Sequence, residues 1–466
     1  MQFTDFTFIF IFIPVFFLIF FLLPSQFKAV WIFLGSAFFY FWAEPLFFWV
    51  LSIQITINFI FAVFIDRTRT RVWLSKALLV IVVLVDLGLM ILLRDSTVLL
   101  RMLNIAADTS PDIDKIFFPL GISFITFSLL SYVIDISKGS LSERWNLFQF
   151  ANYILFFPKV QQGPIQDFTG FQKSIAEINT SSSNLYIGIS RFIQGLAKKV
   201  LIADSLASVA DSVFSANLTH IGFSLSWYGL ISFALQIYFD FSGYTDMAIG
   251  IATALGVSLP ENFNSPYSCM SVADFWRRWH MTLTAWFRKY VFFPLEFRFR
   301  KLGVIRQPLN LLIVFFLTGA WHGINPNFLV WGGYYGLILA LESMGLGRWL
   351  KRLPRFFQHF YALLLVLFGW VFFRLKTPDK WGGFFQALFG MNGLSGNATA
   401  RTLNLLGYLP IVIIAIILCI PVPKTIDFSN VKVVNSLTVV IQIALLILSI
   451  AFLVEGGYQS FLYRQF

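Results

Sequence analysis

The sequence predicts an all-α integral membrane protein with many spans. Three observations carry that prediction. Of 466 residues, 58% are hydrophobic and only 12% are charged, about half the charged fraction of a soluble domain. Mean hydropathy is +0.77. The apolar residues, 58 phenylalanines among them, fall in long unbroken runs. Helices need roughly 20 such residues to cross the hydrocarbon core, whereas spanning strands alternate with period two.

The first run is Phe6–Leu23. No basic residue precedes it and no small-x-small site follows, so it reads as a retained helix and not a cleaved leader. Ala29–Tyr40 and Pro45–Ile65 come next, before a basic segment with Arg67, Arg69, Arg71 and Lys76. Further basic segments hold Lys198 and Lys199, then Arg348, Lys351, Arg352 and Arg355. The longest, Arg277 to Arg306, has eight Lys or Arg against one acid, Glu296. Basic loops stay on the cytoplasmic side, so three crossings put the N-terminus outside. The net charge of +11 then belongs to these loops and not to a nucleic-acid surface.

Later apolar segments are Ala77–Leu93, Ile116–Ile136, Phe223–Tyr238, Tyr244–Leu255, Leu309–Ala320, Phe328–Leu341, Tyr361–Phe373, Leu403–Ile420 and Val439–Val454. Several are too short to cross alone. Broken helices are tolerated at membrane depth where they are buried in protein or line a cavity. Phe148–Phe157, ending at Pro158, has the length of a re-entrant piece. The expected total is about eleven spans plus re-entrant and interfacial segments. No linker or internal repeat divides residues 1–466, which read as a single polytopic domain. Cys269 and Cys419 are too few for a disulfide framework or a zinc site.

Chemistry is sought among the rare polar residues. Of four histidines, His220 lies in a polar stretch and His359 at a helix start. His322 follows Trp321 at the end of an apolar run that begins after Gln307. Fifteen residues of helix put it roughly 22 Å from the basic segment, and Gly323 and Pro326 break the helix there. An ionisable group so deep is a functional candidate, and imidazole suits proton abstraction from a hydroxyl. The bland alternative is a histidine that ties two helices together.

His280 sits in Asp274–Arg288. Read as one helix, this segment puts Trp276, Trp279, Leu283 and Trp286 on a face with His280, among Arg277, Arg278 and Arg288. It is either an interfacial helix whose arginines meet anionic lipid or the wall of an entry funnel for an anionic donor. Asp240 and Asp246 flank Ser242-Gly243, read as a break between apolar stretches and more as a packed polar turn than as direct catalysis.

These segments together resemble the membrane-bound O-acyltransferase (MBOAT) family. The carrying residues are Trp321-His322-Gly323, Asp274 to Arg288, Tyr238 to Asp246, Pro260 to Pro266, Gly121 to Phe127 and Pro158 to Ile165, a core of about 118–345. Phe124 to Asp135 and the extra C-terminal spans point to the alginate O-acetyltransferase branch. The segment Glu296 to Arg300 departs from that branch, which carries a Gly-Gly-Asn-Arg stretch there. The resemblance implies a helical ring around a central tunnel lined by the two catalytic histidines, His322 as general base or as the group that orients the accepting hydroxyl, and His280 positioning the donor. Trp321, Arg277, Arg278, Trp279, Trp286, Asp240, Asp246 and Asn325 are then tunnel or donor-site candidates. The implied reaction moves an acetyl group from a thioester, acetyl-CoA, to a hydroxyl, with no bound cofactor or metal because a thioester is already activated. It also implies a cytoplasmic inner-membrane location and a periplasmic or extracellular partner that modifies an exported polysaccharide. The alternatives are D-alanyl transfer to teichoic acid and, in another class, a transporter or flippase with a buried proton path.

Overall fold

The computed structural model describes residues 1–94, 119–141, 146–178, 180–394, 401–421 and 432–456. Among these residues every regular element is helical. The chain packs as two compact units, 1–192 with 244–260, and 193–243 with 261–466.

The first unit begins with α1 (Phe8–Leu22), α2 (Ser25–Ala43), α3 (Pro45–Arg67) and α4 (Val72–Arg94). Along α1 every fourth residue is phenylalanine, so Phe8, Phe12, Phe16 and Phe20 form one buried stripe. Phe157 inserts edge-on against it, 5.5 Å from Phe12 and 5.3 Å from Phe16. The other face presents Ile11, Leu18 and Leu22 outward, as a lipid-facing surface requires. Between α3 and α4, Gln54 and Asn58 both donate to the fully buried Asp86 Oδ1, at 3.0 and 2.9 Å. The unit continues with α5 (Ile122–Ser137), α6 (Leu147–Leu155), α7 (Phe157–Val160) and α8 (Phe168–Ala176). The nine residues of α6 are too few to cross a bilayer. Residues 116–118 of the expected span at Ile116 lie outside the described part.

The chain passes between units inside two helices and a third time between Pro260 and Glu261, outside any helix. In α9 (Ser182–Ala197) a wide turn at Lys198–Ala203 leads into α10 (Asp204–Phe214). Then α11 (Phe223–Ala254) runs unbroken for 32 residues. This corrects the expected break at Ser242-Gly243. Gly243 serves close packing: a Cβ there would lie 2.7 Å from the Gly195 carbonyl oxygen. Lys199 is likewise no loop residue. It is buried, with Nζ 2.6 Å from Asp204 Oδ1 and 3.0 Å from Asp240 Oδ1.

The second unit also contains α12 (Val272–Trp276), α13 (Met281–Phe287), α14 (Phe293–Arg298), α15 (Arg306–His322), α16 (Pro326–Leu341), α17 (Arg355–Arg374) and α18 (Pro378–Leu388). The C-terminal helices are α19 (Arg401–Leu406), α20 (Leu409–Leu418) and α21 (Lys432–Val454). The long basic segment is thus largely helical and not a loop. Among the described residues six helices are long and apolar enough to span a bilayer, and three more are apolar but shorter. About eleven spans were expected. Three of the segments counted as spans form the shorter helices, and two others merge in α11.

Candidate active site

The site is built on the α15–α16 hairpin. Gly319 and Gly332 face each other across it. A Cβ on Gly319 would sit 2.3 Å from the Phe328 carbonyl oxygen, and one on Gly332 would sit 2.4 Å from that of Phe315. The backbones therefore touch, as small residues permit in membranes. Gly323, at φ +154°, then ends α15 immediately after His322.

His322 is buried in an aromatic box. Its ring lies 5.2 Å from Trp331 and 5.1 Å from Phe373, both edge-to-face, and 4.5 Å from Trp321. Trp321 also reaches His280, at 6.2 Å between ring centres. The two histidines predicted far apart in sequence thus share one tryptophan.

The segment carrying His280 is not one helix. Glu342 accepts hydrogen bonds from the Val272 and Ala273 amides, both at 2.9 Å, and so caps the start of α12. Ser271 Oγ accepts from the Asp274 amide, and Asp274 Oδ2 accepts from the Met270 amide just before the cap. Burial works against the Asp274 carboxylate, but the Met270 amide with Arg278 and Arg277 holds its pKa below the usual value. The helix stops after Trp276, and His280 adopts φ +44°, ψ +53°, a left-handed geometry that non-glycine residues seldom take. Helix resumes at Met281. The helical face expected across 274–288 is therefore broken, because backbone and side chain at 280–282 bond to Asn262 instead of to the preceding turn.

A cavity of about 330 Å³ opens beside this break. Its lining includes Arg277, His280, Thr284, Arg288, Gln307 and Thr318 amid Trp276, Phe287 and Phe315. Along α15 it runs from Gln307 to Thr318, roughly 16 Å at helical rise. His322 lies four residues, one turn, beyond Thr318 on the same face. Burial pushes the His280 imidazole down to about 3, so the ring is neutral in the cavity wall. A second cavity, about 420 Å³, is almost wholly apolar apart from Tyr267, Ser268, His359 and Cys419.

The other candidates are placed as follows. Arg277 lines the cavity with an exposed side chain and an ion pair to Asp274 at 3.2 Å. Arg278 turns to Asp274, also at 3.2 Å. Trp279 packs among Phe263, Phe275 and Trp370, and Trp286 beside Tyr290. Neither lines the cavity. Asp240 faces Lys199, and in the other unit Asp246 takes Arg191 at 2.9 Å. Asn325 is exposed at the start of α16. Glu296, in the segment that departs from the alginate branch, binds Arg306 and Asn310 at 2.6 and 2.7 Å and so anchors α15. Sequence reasoning missed Asn262, Glu342 and Thr318. Only Asn262 left a signal, standing in the quoted Pro260–Pro266 stretch. Among the described residues no group of three His, Cys, Asp or Glu stands together to hold a metal.

The model of the membrane-bound O-acyltransferase family matches residues 38–375. The chain belongs to the MBOAT family. It is a multi-pass membrane protein and an acyltransferase. It is 33% identical over 410 residues to a "probable alginate O-acetylase" of Azotobacter vinelandii, covering 87% of this chain and 80% of that one. A peptidoglycan O-acetyltransferase of Helicobacter pylori is 31% identical over 424 residues, covering 83% and 80%. A teichoic acid D-alanyltransferase of Bacillus subtilis is 32% identical over 247 residues, covering 50% and 60%.

Proposed function

We propose that this MBOAT acyltransferase O-acetylates an exported cell-surface polysaccharide from the cytoplasmic membrane, taking the acetyl group from acetyl-CoA on the cytoplasmic side. The observation that carries the reading is the cavity beside α15. It has Arg277 and Arg288 in its lining, His280 in its wall, and His322 one helical turn beyond its floor. Arginines suit the phosphates of an anionic donor, and the aromatic walls suit its apolar arm. In this reading His322 takes the proton from the accepting hydroxyl as its oxygen attacks the thioester carbonyl. The C–S bond breaks, and the leaving thiolate takes that proton from His322. One ester and one thiol form with no net proton change. That first ester is an intermediate: at the outer face a separate periplasmic or extracellular protein moves its acetyl group to a sugar hydroxyl, so the intermediate ester breaks, the polymer ester forms, and the sugar's proton returns to the first hydroxyl.

Coverage favours acetyl over D-alanyl transfer, since the acetyl-transferring relatives align with over four-fifths of the chain and the D-alanyl relative with half. The test is His322→Ala, checked for normal expression and melting. Acetyl content of the secreted polymer should fall by about 10²- to 10⁴-fold, the range for loss of a general base. Unchanged acetylation would remove His322 from the chemistry.

A further inference from the structure

Asn262 is 1% exposed and touches His280 from behind. Its Oδ1 accepts from the Thr282 amide at 3.2 Å and the Thr282 hydroxyl at 2.9 Å, and lies 3.1 Å from His280 Nδ1. Its backbone carbonyl takes the Met281 amide at 2.9 Å. A backbone N–H can only donate, so the atom facing Thr282 is the amide oxygen and not the nitrogen. That oxygen has only lone pairs to offer. The His280 Nδ1 beside it must therefore carry the proton, and in a neutral ring Nε2 carries the lone pair. This assignment follows from the bonding network, with the ring neutral for the burial reason given above.

We propose that Asn262 is the positioning residue of the site. It locks His280 as the Nδ1–H tautomer in its left-handed backbone geometry and so makes Nε2 a hydrogen-bond acceptor toward the bound substrate. This rests on the reading of the cavity as the donor site and deepens it. His280 does not receive phosphate, which would need a donor or a cation. It receives an N–H or O–H group, the amide of the donor's arm or the accepting hydroxyl. Anion recognition is left to Arg277 and Arg288. The four bonds converging on Asn262 also account for the strained φ of His280, because Met281 and Thr282 amides held by Asn262 cannot belong to a helix that continues from α12.

The test has two independent arms on the full-length protein in detergent. The first is the ¹⁵N spectrum of histidine-labelled protein, with His280→Gln used to assign the resonance. A protonated Nδ1 and a bare Nε2 are expected at neutral pH. A protonated Nε2 overturns the inference whatever the activity does. The second is the pH profile of acetyl transfer. Asn262→Asp keeps the acceptor but sets a carboxylate against Nδ1, so the acid limb should move up by more than one pH unit, with the rate at pH 8 within about tenfold of the native rate. Asn262→Leu should lose about 10²-fold, and should lose nothing further in a His280→Gln background. Variants that keep the native pH profile and add independently to His280→Gln show a packing role only and refute the positioning role. If His280→Gln alone leaves transfer intact, the donor-site reading falls, while the tautomer is still decided by the spectrum.

Discussion

Replacing Lys199 by methionine tests whether Asp240 belongs to the architecture or to the chemistry. Lys199 is 1% exposed in its side chain, and its partners Asp204 and Asp240 are 11% and 6% exposed. At 2.6 and 3.0 Å, each attraction amounts to about 6 kcal/mol gross at an effective dielectric near 20. Desolvation offsets much of this in the intact trio. Methionine fills the same volume but leaves two carboxylates buried, close together and without their cation. Removing one partner of a buried pair costs about 3–5 kcal/mol, and two stranded acids place the loss at the upper end. The assay is thermal unfolding of the purified protein in detergent, followed by tryptophan fluorescence. Neutralising the acids as well, in Lys199→Met/Asp204→Asn/Asp240→Asn, removes the stranded charge and should recover more than half of the lost melting temperature. A single variant that melts like the native protein would refute the reasoning. So would a triple variant no more stable than the single one.

Two further outcomes follow from the geometry. Gly319→Ala puts a methyl 2.3 Å from the Phe328 carbonyl oxygen, where about 3.3 Å is the closest comfortable approach. The hairpin must open by about 1 Å, and a misplacement of that size costs about 10²-fold in rate. Transfer activity should fall by that factor, whereas Gly333→Ala, which meets nothing within 4 Å, should leave activity unchanged. The second outcome concerns pH. Burial takes His280 from its usual 6.5 down to about 3, so the unfolded chain binds a proton there that the folded one refuses. Stability from this residue is constant above pH 6.5 and falls as pH drops toward 3, by about 1.4 kcal/mol per unit. Melting curves at pH 7.5 and 5 should therefore differ more for the native protein than for His280→Gln, and parallel behaviour would contradict the buried neutral ring.

Composition and run length alone determined that this is a helical membrane protein, because the cost of exposing backbone polar groups to lipid leaves few alternatives. The end of α15 at His322, next to a glycine, was also legible, since a glycine after an apolar run marks a helix C-terminus. The helix count was not. A serine and glycine inside α11 look like a break in one dimension, and only packing against Gly195 shows that Gly243 serves contact. Nor could spacing reveal that Asp274–Arg288 breaks at His280. That break is decided by Asn262, eighteen residues earlier, whose oxygen competes with the helix for the same amides. The sequence therefore determined the helical class and named the two histidines. The tertiary structure decided how they meet, because Trp321, Gly319 and Asn262 act through contacts between segments that no local pattern encodes.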